Sequence, residues 1–442
     1  MNYKFNHSQQ KFLFLLGVTV IYLTLVVWLD FLQGPQLWDE ITYWGTSLSF
    51  SDRLLPTIDS LRDYNELSTP LPFIIFGALE YLFDQGIWLG RLLNLLLSLS
   101  MVFIIGWPSR HRRGTAILCV IGLFVCPYYL FVSGRLYTEI IACFWGLLGI
   151  VGYVHNRHWL SCVAFVLAIA SRQYMVAFPL AIATYELIPA AVEFVRTRQF
   201  TFKAQLRWIA PLIATLSIFG WIYLFAGLAP KSAYVVRAVP AVQQTTWALT
   251  PGVAINFLTA VAAYIVIPEF LLFRPNLGEI KKNRWLIALI AVGLLLLFFW
   301  MPPVTWSKGL LSKATNLLPS DGLKMVSLYG LSLLTCLRFC KPRLLTLLVL
   351  FNSLIMIKAH PWDKYVLPLV VVFWYLKSIG FEEKFNTLPT FGKSRNELDM
   401  AKILQCSEKS NQKFQHSYQL FQGASCFRLS KEAFRICNRT EE

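Results

Sequence analysis

Charge is scarce in this chain. Only 14% of its 442 residues are charged, and just 24 are acidic. A chain so poor in acids and so rich in apolar residues (56%) does not resemble a soluble enzyme. Catalytic signatures are also missing. There is no glycine loop of the phosphate-cradling kind, no His-Glu-x-x-His, and no Gly-x-Ser-x-Gly elbow. The nine cysteines follow no zinc-site spacing, and Cys336 and Cys340 read as packing at a helix end. Free thiols are therefore expected. No internal repeat and no low-complexity tract is visible. The apolar runs do not alternate with polar residues, which excludes a lipid-embedded barrel.

What is present is a ladder of apolar runs of about 17–23 residues, each long enough to cross roughly 30 Å of hydrocarbon as a helix. Backbone amides cannot go unpaired in lipid, so the fold class is all-α and the chain a polytopic membrane protein. The net charge of +16 would suggest nucleic acid in a soluble domain. Here it fits basic cytoplasmic loops, and no nucleic-acid partner is expected. Residues 1–33 read as a retained anchor, since the run Phe12–Phe31 lacks a small-residue cleavage site. Residues 34–84 form a first outer loop. Residues 85–380 form the helical domain, with spans near 87–107, 115–133, 138–154, 158–171, 174–192, 208–228, 251–273, 285–301, 323–339, 344–358 and 366–380. With the first anchor this makes about 12 spans. Residues 381–442 form a polar tail, with one short helix expected around Leu398, Ile403 and Leu404.

The stretch Gly34–Pro72 of the outer loop holds six of the scarce carboxylates: Asp39, Glu40, Asp52, Asp59, Asp63 and Glu66. Leu37, Ile41, Trp44 and Leu48 make one apolar stripe at helical spacing, which predicts an interfacial helix with Asp39 turned away from lipid. Thr69 and Pro70 suit the cap and first position of the next helix. That helix, Leu71–Phe83, is short for a span and reads as re-entrant or interfacial. On this map the run Ser109–Arg113 is cytoplasmic, as are both termini.

Basic residues left on the outer side are Arg53, Arg62, Arg91, Arg135, Arg172, Lys231, Arg237, Lys308, Lys313, Lys324, Lys358 and Lys364. Arg135, Arg172 and Lys364 sit in very short turns. The short run 158–171 should place Ser171, Arg172 and Gln173 beneath the outer surface, where an ionisable side chain points to function. The competing account is an arginine snorkelling to head groups.

Acids in the first loop and bases in later turns suit transfer from a phosphate-bearing donor. A carboxylate deprotonates an acceptor hydroxyl, and cations stabilise charge on a leaving phosphate. Tyr43, Trp44, Tyr137, Tyr174, Trp362 and Tyr365 could cover sugar rings. Taken alone, Asp39 and Glu40 fit equally well as acids offsetting the positive end of a helix.

Several stretches bear on this choice. Leu-Trp-Asp-Glu-Ile (37–41) and Ser-Thr-Pro-Leu-Pro (68–72) resemble the first outer loop of the GT-C membrane glycosyltransferases. Gly-Arg-Leu-Leu-Asn-Leu-Leu-Leu-Ser (90–98), Pro-Tyr-Tyr-Leu-Phe-Val-Ser-Gly-Arg-Leu-Tyr-Thr-Glu (127–139), Ser-Arg-Gln-Tyr (171–174) and Trp-Asp-Lys-Tyr-Val-Leu-Pro (362–368) follow in order. This set is similar to the dolichyl-phosphate-glucose-dependent alpha-1,2-glucosyltransferases that add the last glucose to the lipid-linked oligosaccharide. The likeness covers 30–190 and 358–370. It departs at Tyr64-Asn65-Glu66, leaving open whether Asp63 or Glu66 takes the acid's place, and at Tyr174-Met175 after Arg172-Gln173.

The resemblance implies a GT-C fold and a polyprenyl-phosphate-linked hexose donor, expected to be glucose. The acceptor is then a glycan or lipid-linked hydroxyl. From the placement of acids and bases in the chain itself, Asp39 is expected as general base, with Glu40 orienting it or the acceptor. Arg172 and Lys364, with Arg135 behind them, are expected on the donor phosphate. Gln173, Tyr137, Glu139, Asp63, Glu66, Trp362 and Tyr365 are expected at sugar or acceptor. Direct displacement requires neither a covalent sugar-enzyme step nor, in principle, a metal or other cofactor. The end of the chain carries no retrieval signal, which favours a bacterial inner membrane over the endoplasmic reticulum. The alternative class is a transporter of lipid or solute, for which the span number also fits. A third is an inactive membrane scaffold.

Overall fold

Proline and buried polar residues divide the apolar ladder into more pieces than hydropathy alone suggests. The structure, a computed structural model, describes residues 7–107, 112–198, 202–237, 248–274 and 284–381. Every regular element among them is helical. Ser109, Arg110 and His111 of the basic run lie outside the described residues, as does the tail from 382, including the helix expected around Leu398.

The chain opens with α1 (His7–Leu23), prolonged by a π turn over Thr24–Trp28. Phe14, Val18, Tyr22 and Leu25 form its one buried stripe, and the rest of the helix is largely exposed. The outer loop then folds as α2 (Asp39–Leu48), α3 (Ile58–Arg62) and α4 (Leu71–Phe83). The expected stripe appears in part on α2. Ile41 and Leu48 are exposed, Trp44 is half-buried and Leu37 precedes the helix, while Glu40, Tyr43 and Ser47 make the opposite, buried face against α4. The expected cap of α4 is corrected. Thr69 donates its hydroxyl to the Ile169 carbonyl at 2.7 Å, and Pro70 stands at the cap without a side-chain bond.

Next come α5 (Ile87–Gly106), α6 (Arg113–Val125), α7 (Pro127–Ser133), α8 (Thr138–Val154), α9 (His158–Ser171), α10 (Ala177–Thr197), α11 (Phe202–Phe225) and the short α12 (Lys231–Val236). The expected span 115–133 is broken. Proline lacks a backbone N–H and pushes its predecessor out of helical geometry. Cys126 adopts ψ 108° before Pro127, and α6 and α7 meet at 79°. The second half comprises α13 (Gly252–Val261), a π turn (Ala262–Val266), α14 (Ile267–Phe273), α15 (Arg284–Trp300), α16 (Leu310–Asn316), α17 (Asp321–Arg338), α18 (Leu344–Ile355) and α19 (Leu367–Ser378).

Among the described residues five helical stretches are long and apolar enough to cross a membrane: Lys11–Trp28, Ile87–Gly106, Gln173–Val192, Gln205–Phe225 and Gly252–Phe273. A sixth is added if the bent α6–α7 pair counts as one. Shorter apolar helices, including α8, α9, α15 and α18, make up much of the remainder. At about 1.5 Å per residue α9 reaches only about 21 Å, so its C-terminal end stops inside the bundle.

The centre of the bundle is α19. Over Leu367–Leu376 it is buried and apolar on every face, as an enclosed helix must be, with Lys377 in its last turn, and it packs on α6, α8 and α5. Trp374, fully buried, lies over Gly122 of α6, where a β-carbon would stand 2.3 Å from the ring. Six cysteines fall within the described residues and all are free thiols.

Candidate active site

Two short turns, 171–174 before α10 and 360–366 before α19, converge on the first turn of α2. Asp39 begins α2, and its predecessor Trp38 has φ 47° and ψ −114°. A bulky residue at positive φ is uncommon, and such strain gathers at functional sites. The Asp39 carboxylate Oδ2 accepts from Lys364 Nζ at 2.9 Å, across 325 positions of sequence. Lys364 also lies 3.2 Å from Glu139 Oε1, and Arg172 donates to that same oxygen at 2.8 Å. Arg172 donates to Tyr43 Oη at 2.9 Å as well. Acid and base, expected on one pocket, are thus in contact.

The charges in this cluster cancel: Asp39 and Glu139 against Arg172 and Lys364. Three of the four are closed off from solvent. Asp39 alone is partly open, its side chain 21% exposed against 4% for Lys364. Its second oxygen, Oδ1, has no hydrogen-bond partner among the described residues. The surroundings are aromatic. Lys364 Nζ stands 3.7 Å from the Trp362 ring centre and 5.2 Å from that of Tyr137, while Tyr365 pairs with Tyr174. The hydroxyls of Tyr137 and Tyr174 are buried without a partner among the described residues.

Several assignments change in the light of these contacts. Glu40, expected beside Asp39, points the other way and is fully buried. It accepts from Arg91 Nε at 2.7 Å and Nη2 at 2.9 Å, and from the backbone N–H of Leu136 at 2.8 Å and Leu37 at 3.1 Å. This makes it a framework anchor. The cause is helical geometry: adjacent residues on a helix point about 100° apart, so Asp39 and Glu40 cannot serve one face. Arg135, expected at the donor phosphate, is 3.5 Å from Glu40 and lies between the rings of Phe31 and Phe131. Glu139, expected on sugar, is enclosed and holds Arg172 and Lys364 together. Those two cations, expected on phosphate, are already balanced by carboxylates.

Gln173 donates to the Leu67 carbonyl at 2.6 Å and fastens the outer loop. Asp63 and Glu66 are likewise occupied. Asp63 accepts from Ser232 N at 2.9 Å and Oγ at 2.7 Å, and Glu66 pairs with Arg237, which also reaches Thr42 at 2.6 Å. Burial pushes the Glu66 carboxyl above its ordinary range, with Arg237 working against that rise.

Asp363 escaped sequence reasoning. Its Oδ1 accepts from Tyr128 Oη at 2.5 Å; its Oδ2 accepts from Tyr264 Oη at 2.8 Å and Leu311 N at 2.9 Å. It ties α7, the π turn and α16 to the turn that carries Lys364. Gly309, at φ 119°, makes this possible, since a β-carbon there would fall 1.5 Å from Asp363 Oδ1. The motif Trp-Asp-Lys-Tyr held the clue, because neighbours in a tight turn face opposite ways. Arg91 and Asn94 were equally legible as polar residues three apart in an apolar span. Asn94 Nδ2 donates to the Arg135 and Tyr137 carbonyls at 2.7 and 2.8 Å and fixes the turn before α8.

Among the described residues no cluster of three or more His, Cys, Asp or Glu is placed to hold a metal ion. No known protein family, no curated protein and no solved structure matches the chain.

Proposed function

We propose that the protein is a membrane hexosyltransferase that uses a polyprenyl-phosphate-linked sugar, glucose by the resemblance of its motifs, and works on the outer side of a bacterial inner membrane. The observation that carries this reading is the half-open Asp39, one oxygen held by Lys364 and the other unengaged, at the start of a strained helix on the loop side of an apolar bundle.

In this reading Asp39 Oδ1 accepts the proton of an acceptor hydroxyl. The acceptor oxygen bonds to the anomeric carbon as the bond from that carbon to the phosphate oxygen breaks. The electron pair leaves with the polyprenyl phosphate, and configuration inverts. Lys364 keeps Oδ2 in place, and Glu139 with Arg172 keeps Lys364 in place. Trp362 and Tyr365, both half-buried, supply the aromatic walls on which a sugar ring can lie, and Tyr137, expected at the sugar, is enclosed behind them. No step calls for a metal. The test is purified protein offered a panel of polyprenyl-phosphate sugars and acceptors, scored for release of the lipid phosphate. No release from any donor would remove the reading.

Transport is the second reading, and one observation favours it. Glu269 lies in a candidate span just past the π turn, fully buried, with Arg338 at 2.6 and 2.8 Å and Lys377 at 2.7 Å. Ionisable groups within a span, next to irregular helix, are common in transporters. Solute or lipid flux in proteoliposomes without acceptor would favour this reading over transfer.

A further inference from the structure

Beside the acid-base cluster lies a separate cavity of about 30 Å³, between α13, α17, the start of α16 and the turn before α19. One water needs about 10–15 Å³ by this measure, so the space suits a few oxygens and not a hexose ring. Lys308, Lys324, Ser307, His360, Trp362 and Asp363 are among its lining residues.

The charge in this cavity is not balanced as it is next door. Neither Lys308 nor Lys324 forms an ion pair among the described residues. Lys324 donates only to the neutral Asn316 side chain, and the Lys308 amine has no hydrogen-bond partner there. The sole carboxylate in the lining, Asp363, already accepts three hydrogen bonds. His360, tilted over Trp306 at 5.3 Å, keeps Nδ1 buried and without a partner among the described residues. A lone buried ring nitrogen costs free energy unless something else pairs with it. Lys308, exposed and without an ion-pair partner among the described residues, and Lys324, bonded only to a neutral amide, line the same cavity, and this set suits an anion with several acceptor oxygens. The wall toward the cluster is Trp362, whose other neighbour is Lys364.

We infer that this cavity is a phosphate subsite, with Lys308 and Lys324 on phosphate oxygens and His360 Nδ1 at a third. It stands where a phosphate leaving the sugar beside Asp39 would be received. Its assignment to the donor lipid rests on the hexosyl-transfer reading; phosphate binding itself does not. The site takes over the task expected of Arg172 and Lys364, whose charges are already spent.

The test is equilibrium binding of farnesyl phosphate, a short soluble polyprenyl phosphate, to the purified full chain in neutral detergent. Wild type should bind. Lys308→Gln/Lys324→Gln should bind at least tenfold more weakly. Lys313→Gln, on α16 but outside the cavity, should bind as wild type does. His360→Phe keeps the stacking and both lysines and should bind several-fold more weakly. This variant, with single Lys308→Gln at an exposed position, decides the matter if the double variant melts early. Wild-type binding in these variants overturns the inference, as does binding that depends on Lys364 alone. Competition by inorganic phosphate identifies the source. Displacement only at tenfold or higher concentration assigns the site to a lipid phosphate; displacement at equal concentration assigns it to free phosphate and removes the donor role. Failure of every sugar donor to react would count against transfer and would leave a lysine-dependent phosphate site standing.

Discussion

Glu139→Gln is the perturbation that most directly probes how the cluster is held. The carboxylate is fully buried and receives Arg172 at 2.8 Å and Lys364 at 3.2 Å. With an effective dielectric of about 20, those contacts represent gross attractions of about 6 and about 5 kcal/mol. Most of that is cancelled by the cost of taking the carboxylate out of water. Glutamine is nearly isosteric, so no cavity opens. What changes is the balance: two buried cations are left facing one carboxylate. Breaking a buried pair in this way typically costs about 3–5 kcal/mol. The assay is SDS-titrated or thermal unfolding in mild detergent, at one scan rate for all variants. Glu139→Gln should fall well below wild type, and Glu139→Gln/Arg172→Gln should regain part of the loss because the charges match again. Stability within about 1 kcal/mol of wild type, the range of an exposed pair, would refute the reasoning.

Three further outcomes follow from the same contacts. Glu40→Gln should lower stability through Arg91 while sparing the turnover of the folded fraction, whereas an orienting partner of Asp39 would lose turnover at unchanged melting temperature. Gly309→Ala should unseat Asp363, so the melting temperature drops and activity falls with it; an unchanged melting temperature would contradict the crowding at that position. The third outcome concerns pH. Burial, then the Lys308 and Lys364 charges, lower His360 from its ordinary 6.5 to about 4. Its folded value lies below its unfolded value, so its contribution to stability is complete above 6.5 and is lost as pH falls toward about 4. Stability measured between those limits should decline less steeply in His360→Phe than in wild type, and equal slopes would count against the reading.

The helical class and the apolar stripe of α2 were legible because lipid leaves a chain few options and periodicity survives any tertiary context. So was the meeting of the first-loop acid Asp39 with the basic turns of Arg172 and Lys364 in one place, although the direct Lys364–Asp39 pair was not. What was not legible depends on direction and on partners. Asp39 and Glu40 are neighbours in sequence and look alike, yet one helical step separates an open acid from an enclosed one. Arg172 and Lys364 read as free cations, because Glu139 enters their space from another helix and no spacing announces it. The break at Pro127 was there to be read but lay inside a run whose hydropathy is continuous. The cavity around Lys308 is assembled from four separate stretches, so no local pattern could mark it.

The most direct test of the central claim is release of polyprenyl phosphate from a polyprenyl-phosphate hexose by wild type and by Asp39→Asn, matched for fold and for donor binding. The loss of a general base should reduce turnover about 10²–10⁴-fold, with melting temperature and donor affinity close to wild type. Turnover at the wild-type rate in the asparagine variant would contradict the account.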